Sequence, residues 1–399
     1  MSAWTDQPIG SAAGTQPGDA VEAGEAMEAG DAVAPGALPT YVWEPTTDFL
    51  ATRYGLPREA IVRFDVNTSP VPPDLGFVLA GPFDPLLSEY PPSDYAALVA
   101  AAEDAYGVGE DEILPTAGAD EALDLTARAY LREWSVAVAG VPTYAMYRIV
   151  TEQRGAAFTG VPRLSREDGF GLDIEALARA ALTAQIVWLC EPNNPTGTAE
   201  PPERISGLLD RLAADARRDG REDPVVVVDE AYAEFTGRTV LPLRDRYPRL
   251  VVIRTLSKAH ALAGVRVGFA VARPETLAPI LAYRAPASVS TVSAALATAA
   301  LCRPELAAAN VARIAEQRLR LIEELGMIGW LPYPSEANFI LFRFGSPDRA
   351  AAAAEALLRK GLVPRTFGPD HPLADCLRLT VRSARENDRL IRVAREIPA

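Results

Sequence analysis

Lysine is nearly absent from this chain, and one of its two lysines lies where it could do chemistry. The 39 basic residues include only Lys258 and Lys360 as lysines. Lys258 lies in the stretch TLSKAHALAGVRVGFA, directly after an apolar run. An arginine keeps its proton at working pH, whereas a partly buried lysine can lose it and act as a nucleophile. We therefore expect a catalytic amine at Lys258, with a solvated surface lysine as the alternative.

Three apolar runs, QIVWLC, PVVVVDE and RLVVIRT, are typical of buried parallel strands, and polar groups follow each of them. Asn194 follows the first run, within EPNNPTG. Asp229 ends the second run and is soon followed by Tyr232, and Lys258 follows the third. Ligands of open α/β sheets bind beyond the carboxyl ends of the strands. An amide, a carboxylate, a phenol and an amine are therefore expected at one edge of a sheet.

This set of groups is the one that pyridoxal phosphate needs. Lys258 would form a Schiff base with the cofactor aldehyde, and Asp229 would keep the pyridine nitrogen protonated. The freed lysine could then move a proton as general base and acid. The helix that opens at GADE offers backbone N–H groups to the phosphate, because helix N-termini attract anions. Ser257 and Arg266 offer a hydroxyl and a guanidinium to the same phosphate.

The elements that must position these groups alternate between helix and strand from about residue 94, which favours an α/β layer architecture. Beyond about residue 290 a helical region is followed by short strands, as in a smaller α+β domain. The first 36 residues are rich in Ala, Gly and acids and predict a disordered tail. The predicted organisation is tail 1–36, N-terminal arm 37–75, large cofactor-binding domain 76–288 and small C-terminal domain 289–399.

Five stretches together resemble the fold-type I aminotransferases of class I/II, and most closely the histidinol-phosphate aminotransferases. They are TLSKAHALAGVRVGF, EPNNPTGT, VVVDEAYAEF, GADEALDL and VPTYAMY. The resemblance runs from about Tyr41 to the end of the chain. It implies a mostly parallel, seven-stranded type of sheet between helices, with pyridoxal phosphate as cofactor. It also implies a cytoplasmic homodimer with shared active sites, active in amino-acid biosynthesis, and 2-oxoglutarate as amino acceptor.

The resemblance assigns cofactor contacts residue by residue. Lys258 matches the Schiff-base lysine, and Asp229 matches the partner of the pyridine nitrogen. Asn194 and Tyr232 match the ligands of the ring oxygen, and Tyr144 matches the aromatic residue that stacks on the ring. The phosphate-binding positions match Ala119, Asp120, Ser257 and Arg266. As the alternatives, Asp229 could instead cap a turn and the tyrosines could simply be half-buried aromatics.

The resemblance also assigns a subunit contact and a substrate side. Tyr90 matches a tyrosine that reaches the cofactor phosphate of the neighbouring subunit. Asn67, Arg365 and Arg378 match substrate-side positions. Structural ion pairing is the alternative for both arginines, because the 37 arginines of the chain make chance matches common.

Two stretches depart from the family pattern. In FDVNTSP, Thr68 and Ser69 replace Glu and Asn, and in RLTVRS, Arg382 replaces a glycine. Both stretches belong to the substrate side in the family, so we expect them to leave the cofactor chemistry unchanged. They leave the amino donor open, and a lyase acting on a phosphorylated amino acid or an aminotransferase for aromatic amino acids are the alternatives. A non-catalytic regulator is a third class that the sequence disfavours.

Composition excludes several other classes of protein. The net charge of −14 argues against nucleic acid and anionic membrane surfaces as partners. No apolar run is long enough to span a membrane. The three cysteines are widely spaced, which indicates a reducing compartment and no disulfide framework. The two histidines have no metal-ligand spacing, so no metal site is expected.

Overall fold

The computed structural model of the protein describes residues 38–76, 78 and 88–397. The predicted acidic tail, residues 1–36, lies outside the described residues. The α-helices are α1 Thr47–Tyr54, α2 Ala96–Tyr106, α3 Ala119–Tyr130, α4 Met146–Glu152, α5 Ile174–Ala180, α6 Pro202–Asp219, α7 Pro274–Leu281, α8 Thr291–Leu301, α9 Pro304–Met327, α10 Pro347–Arg359 and α11 Ala384–Ala394. The strands are β1 Val62–Arg63, β2 Ile113–Thr116, β3 Val136–Val141, β4 Ala157–Pro162, β5 Ile186–Cys190, β6 Val225–Asp229, β7 Leu250–Thr255, β8 Gly268–Ala272, β9 Leu331–Pro332, β10 Phe339–Arg343, β11 Leu362–Val363 and β12 Cys376–Thr380.

Seven strands form the central sheet, in the order β2-β8-β7-β6-β5-β3-β4. Strand β8 runs antiparallel to both of its neighbours, and the remaining pairs are parallel. The three apolar runs of the sequence are β5, β6 and β7, and every residue of these strands is buried. The expected α/β fold with a mostly parallel sheet between helices is therefore confirmed.

The central sheet is covered by helices on both faces. Because successive side chains of a strand point to opposite faces, each central strand contributes to two apolar cores. Val226 of β6 packs in the same core as Leu208 of α6. Its neighbour Val227 packs in the other core with Leu123 of α3. Burial on both faces explains why these strands are continuous apolar runs without alternation.

A second body of structure follows the central sheet. Strands β9, β10 and β12 form an antiparallel sheet, and β1 from the N-terminal arm pairs in parallel with β11. Helices α9, α10 and α11 pack with these strands around a core that includes Trp330, Phe342 and Leu390. Phe64 from the arm belongs to the same core. The domain boundaries stated above stay a prediction.

The connections after the central strands carry the polar groups of interest. Asp229 is the last residue of β6, Asn194 lies in the loop after β5, and Lys258 lies in the loop after β7. These loops meet at the carboxyl edge of the parallel strands. None of the helices in the described ranges is long and apolar enough to cross a membrane.

Candidate active site

A cavity of about 610 Å³ opens at the carboxyl ends of β5, β6 and β7. It is lined by the central strands, by the start of α3, by the N-terminal arm and by residues of the second body. Twelve of the thirteen residues singled out in the sequence line this cavity: Asn67, Ala119, Asp120, Tyr144, Asn194, Asp229, Tyr232, Ser257, Lys258, Arg266, Arg365 and Arg378. Tyr90 does not line it, and 89% of this residue is exposed.

Lys258 lies in a tight loop, and the pKa of its amine is lower than that of a solvated lysine. Its carbonyl accepts a hydrogen bond from the N–H of Ala261, a residue in the left-handed region at φ 57°. The amine lies 5.6 Å from the centre of the Tyr232 ring. Burial, followed by repulsion from Arg378, lowers the pKa of Lys258 to about 8. A much larger fraction of this amine is therefore neutral near pH 8 than for a solvated lysine.

Asp229 is a buried carboxylate with two hydrogen-bond donors. The Tyr147 hydroxyl donates to its Oδ2 at 2.9 Å, and the N–H of Ala231 donates to its Oδ1 at 3.1 Å. Burial raises the pKa of Asp229 to about 6, although both hydrogen bonds act in the opposite direction. A buried carboxylate of this kind is stabilised by a cationic partner. A protonated ring nitrogen in the cavity would be such a partner.

Tyr147 was not singled out in the sequence. It lies on α4, three residues after Tyr144, and its ring stacks on Trp188 of β5 at 5.7 Å between centroids. The signal in VPTYAMY is a second tyrosine three residues after Tyr144. Tyr144 precedes α4 and lines the cavity, whereas Tyr147 is buried on the helix and reaches the site through its bond to Asp229.

One end of the cavity is suited to a phosphate. Arg266 and Tyr144 both bond to the Asp120 carboxylate, at 3.2 and 3.0 Å. Gly118 has a φ of 86°, where other residues are strained, and a Cβ there would lie 2.4 Å from Arg266 Nη2, so glycine lets the guanidinium keep this position. Gly118 directly precedes Ala119, the first residue of the twelve-residue helix α3.

The helix α3 supplies backbone donors at this end, and Ser257 supplies a hydroxyl. A Cβ on Gly268 would lie 2.7 Å from the nitrogen of Ala119, so glycine lets β8 approach the helix start closely. Ser257 is buried, and its side chain accepts a 3.0 Å hydrogen bond from Thr255. Backbone N–H groups, a hydroxyl and a guanidinium around a space that a Cβ would fill form an anion cradle. The residues present therefore fit the phosphate of pyridoxal phosphate.

The loop after β5 is fixed by Asn193. Asn193 donates hydrogen bonds to the carbonyl of Pro142 at 3.1 Å and to Thr196 at 2.9 Å. Pro142 follows β3, so Asn193 joins the loop after β5 to the loop after β3, while Asn194 lines the cavity. The Asn194 side chain accepts a 2.5 Å hydrogen bond from Arg378.

The phenol of Tyr232 is also held from the substrate side. Asn67 donates a 3.1 Å hydrogen bond to the Tyr232 hydroxyl, and Asn67 itself is buried. Asn67 is held in turn by Thr380, whose hydroxyl donates to its Oδ1 at 3.2 Å. One amide therefore joins the two structural bodies at the cavity.

Arg378 is a buried guanidinium whose hydrogen bonds go to neutral groups. It donates to Asn194 and, at 2.5 Å, to the backbone carbonyl of Asp65. The Asp65 carboxylate is occupied by Arg63, at 2.6 Å. Burial, followed by repulsion from Arg365, lowers the pKa of Arg378 to about 10. A buried cation in this setting is stabilised by an incoming anion.

Arg365 lies beside Arg378 but has a different partner. The two residues exchange backbone hydrogen bonds of 3.0 Å, which places both guanidiniums at the same end of the cavity. Arg365 forms an ion pair with Glu44 of the N-terminal arm. The structure therefore separates two residues that the sequence had grouped together.

The two stretches that depart from the family pattern differ in what they touch. Ser69 donates a 2.6 Å hydrogen bond to the carbonyl of Lys258, so the change at Ser69 reaches the lysine loop. The expectation that these stretches leave the cofactor chemistry unchanged stays a prediction, and Ser69 is the residue at which it can be tested. Arg382 instead bonds to Thr68 at 3.3 Å and to Glu386 at 2.9 Å, and it does not line the cavity.

Comparisons with known proteins agree with this site. A family model described as aminotransferase class I and II matches residues 84–394. A histidinol-phosphate aminotransferase of Roseiflexus castenholzii is 35% identical over 372 residues, which cover 90% of this chain and 96% of that protein. A histidinol-phosphate aminotransferase of Xylella fastidiosa is 40% identical over 303 residues, which cover 74% of this chain and 80% of that protein.

Solved structures of other proteins are similar to this chain over most of its length. The structure of histidinol-phosphate aminotransferase from Sinorhizobium meliloti in complex with pyridoxal-5'-phosphate has a TM-score of 0.79 and 25% identity. The likeness covers 91% of this chain and 99% of that one. A threonine-phosphate decarboxylase of Porphyromonas gingivalis shares the fold, with a TM-score of 0.68 and 22% identity over 84% of this chain and 98% of that one. The chain therefore belongs to the class I and II aminotransferases and is a pyridoxal phosphate-dependent enzyme, as its motifs indicated.

Proposed function

We propose that the enzyme moves the amino group of an anionic amine of the histidinol phosphate kind to a 2-oxo acid such as 2-oxoglutarate. The observation that carries this proposal is Arg378, a buried guanidinium at the cavity with hydrogen bonds to neutral groups. A planar fork matches carboxylate and phosphate equally well, so one residue can serve both substrates in turn. The names of the relatives support histidinol phosphate as the first donor to test.

Lys258 and Asp229 are assigned the central roles. The cofactor, when bound, supplies an electron sink that stabilises charge on the substrate Cα. Lys258 would hold the cofactor covalently between turnovers, and its amine would afterwards move a proton at the substrate Cα. A pKa of about 8 suits this task because the amine can both accept and return a proton near neutral pH. Asp229 would pair with the protonated ring nitrogen.

The other lining residues would orient the two reactants. Ser257, Arg266 and the backbone at Ala119 would hold the cofactor phosphate. Tyr144 would stack on the ring, and Asp120 would fix Tyr144 and Arg266 through the bonds described above. The remaining contacts, to the ring oxygen and to the substrate, would come from Asn67, Asn194 and Tyr232.

A homodimer with shared sites is part of the proposal. Tyr90 is exposed and does not line its own cavity, as expected of a residue that reaches a neighbouring subunit. Lys258→Ala subunits mixed with Tyr90→Ala subunits should regain partial activity, because one hybrid site would contain both intact residues. Subunits that exchange without regaining activity would contradict the shared site. A reducing, cytoplasmic location is also proposed, since Cys190, Cys302 and Cys376 are all free thiols.

Half-reactions test the reaction class. Glutamate, histidinol phosphate, phenylalanine and threonine phosphate are each mixed with the holoenzyme, and the cofactor spectrum and carbon dioxide release are followed. The proposal expects the amine form of the cofactor to accumulate with glutamate and with histidinol phosphate. Carbon dioxide release from threonine phosphate without the amine form would instead indicate the lyase. A preference for phenylalanine over both anionic donors would indicate an aromatic substrate.

A further inference from the structure

A buried cluster of three charged side chains lies behind the carboxyl edge of the central sheet. Arg254 of β7 donates a 2.7 Å hydrogen bond to Glu230 and a second 2.7 Å hydrogen bond to Glu234. The side chains of Arg254, Glu230 and Glu234 are 9%, 3% and 16% exposed. None of the three lines the cavity. The cluster is therefore separate from the groups assigned to the cofactor and the substrate.

Glu230 is the fixed end of this cluster. It directly follows Asp229, and its backbone N–H donates a 2.9 Å hydrogen bond to the carbonyl of Ile253 in β7. Its carboxylate also accepts a 2.6 Å hydrogen bond from the N–H of Val240. These bonds do not depend on Arg254, so Glu230 anchors the guanidinium beside the ends of β6 and β7.

Glu234 is the end of the cluster that depends on Arg254. It lies in a single 3₁₀ turn, Ala233–Phe235, which directly follows Tyr232. One oxygen of its carboxylate accepts the bond from Arg254, and the other has no hydrogen-bond partner among the described residues. Turns of the 3₁₀ kind have poorer hydrogen-bond geometry than α-helices, so their position relies on outside contacts. The guanidinium therefore fixes this turn through Glu234.

The residue at the start of the turn lies over the catalytic amine. The centre of the Tyr232 ring is 5.6 Å from the amine of Lys258, and its hydroxyl accepts the bond from Asn67. Phe339 packs edge-on against the same ring at 5.3 Å between centroids. These contacts restrain the ring and its tip, whereas Glu234 restrains the backbone from which the ring extends.

Two further titratable side chains face the cluster. The Arg254 guanidinium lies 5.0 Å from the centre of the Tyr106 ring, which supports it from the side of α2. His260 follows Lys258 by two residues, and burial lowers its pKa while Glu234 acts in the opposite direction. The lysine loop and the turn after Tyr232 therefore both approach the same carboxylate.

We propose that Glu234 is a positioning residue, which Arg254 holds so that the turn after it keeps Tyr232 over Lys258. Net stability is not required for this role, because desolvation of buried charges offsets much of their attraction. What the bond contributes is a single orientation of the phenol relative to the amine. This inference rests on the proposed function, in which Tyr232 contacts the cofactor ring oxygen.

Glu234→Ala tests the proposal without leaving an unpaired buried cation, because Arg254 keeps its bond to Glu230. The kcat for the donor identified by the half-reactions should fall about tenfold, while KM stays within about twofold. The bound cofactor acquires circular dichroism in its visible band from its asymmetric surroundings, and this band should lose amplitude. Glu234→Gln keeps an oxygen that can accept from Arg254 and should restore kcat to within about threefold of wild type.

Glu112→Ala is the matched control. Glu112 pairs with Arg244 at 3.0 Å, the two side chains are 9% and 8% exposed, and neither residue lines the cavity. This variant also removes one carboxylate from a buried ion pair, so urea unfolding should show a loss of stability. Its kcat and its visible circular dichroism should match those of wild type. Glu234→Asp, which keeps the charge but shortens the side chain, is a second variant with the same expected direction as Glu234→Ala.

The outcomes separate this inference from the proposed function. Wild-type kcat and an unchanged visible band in Glu234→Ala overturn the inference, and the same result in Glu234→Asp does so if the alanine variant does not fold. Equal changes in Glu112→Ala also overturn it, because the effect would then reflect stability alone. The visible band is measured without substrate. A wild type that transaminates no anionic donor therefore overturns the proposed function, while the band still reports on Glu234.

Discussion

Tyr147 donates a 2.9 Å hydrogen bond to Asp229, which joins the first turn of α4 to the last residue of β6. Both residues are buried, and the tyrosine ring is held by stacking on Trp188. The bond favours the ionised form of the carboxylate, which burial disfavours. Tyr147 therefore helps to keep Asp229 charged and pointed into the cavity.

Tyr147→Phe should lower kcat about tenfold or more, with a smaller change in KM for the amino donor. The substitution leaves the ring stacking in place but removes the donor that orients the carboxylate. Steady-state kinetics with the donor identified by the half-reactions would measure the effect. Tyr130→Phe is the matched control, because it removes a 2.7 Å hydroxyl bond to the carbonyl of Thr276, outside the cavity lining. Equal losses in both variants would indicate a general loss of stability.

Asp229→Asn should stabilise the cofactor-free protein at pH 7 while it abolishes most activity. Because burial raises the pKa of Asp229 from 3.8 to about 6, the folded state binds more protons than the unfolded state between these values. The free energy of unfolding of wild type therefore falls as pH rises through this window. Above the window, the stability lost by ionising Asp229 stays constant. Asparagine does not titrate, so the variant should gain about 3 kcal/mol at pH 7 and only about 0.5 kcal/mol at pH 4.

Urea unfolding of both proteins at the two pH values would measure this difference. Asp215→Asn is a control of opposite sign, because Arg218 and Arg211 lower the pKa of Asp215 against the effect of burial. That variant should lose stability at pH 7. An Asp229→Asn protein less stable than wild type at pH 7 would contradict the conclusion that burial of the charged Asp229 carboxylate costs stability.

Ser69→Ala should reduce kcat about three- to tenfold and leave KM unchanged. The serine hydroxyl bonds the Lys258 carbonyl, and Asn310 of α9 bonds both Ser69 and the carbonyl of Ala259, at 3.0 and 2.8 Å. Loss of the hydroxyl loosens the loop that aims the lysine amine. Ser69→Thr keeps a hydroxyl and should restore the rate, which a change in packing alone would not predict.

The control for Ser69→Ala is Thr276→Val, which removes a 2.8 Å hydroxyl bond to the carbonyl of Pro248 outside the cavity lining. Single-turnover rates of the half-reaction, measured beside thermal unfolding, separate the lysine loop from general stability. A wild-type rate in Ser69→Ala would mean that the Lys258 carbonyl is held adequately by its other donor, the N–H of Ala261.

Arg378→Lys should cost about 1.5–3 kcal/mol of transition-state binding for anionic donors. Lysine keeps the charge but lacks the planar fork that bonds Asn194 and the Asp65 carbonyl together. Values of kcat/KM for glutamate and histidinol phosphate would measure the loss. Arg343→Lys, which alters an ion pair with Asp375 outside the cavity lining, should change neither value. Unchanged kinetics for every anionic donor in Arg378→Lys would contradict the substrate assignment.

The sequence predicted the central sheet and its carboxyl edge because buried parallel strands are continuous apolar runs. Strand order places Asn194, Asp229 and Lys258 at one edge, so their meeting followed from topology alone. The Tyr147 hydroxyl was missed because a tyrosine on a helix is usually part of the core. Only the distance to Asp229 distinguishes a tyrosine that merely packs from one whose hydroxyl bonds the carboxylate. Side-chain contacts between distant segments carry no local sequence pattern.

The contacts that the arm and Ser69 make could not be predicted from the sequence for the same reason. Glu44 and Arg365 are 321 residues apart, and Ser69 and Lys258 are 189 residues apart. Neither pair has a spacing that a helix or strand repeat could reveal. The departures from the family pattern at Thr68, Ser69 and Arg382 were visible in the sequence, but their consequences depend on which backbone atoms the loops approach.

The most direct test of the whole account is the site of cofactor attachment, since the chain has only two lysines. Purified protein supplied with pyridoxal phosphate is reduced with borohydride, digested and mapped by mass spectrometry. We expect a yellow protein that loses its colour, with the cofactor on the peptide that contains Lys258 and none on Lys360. Lys258→Ala should still bind the cofactor but form no reducible adduct and show no turnover. An adduct on Lys360, or no adduct in the wild-type protein, would contradict the assignment.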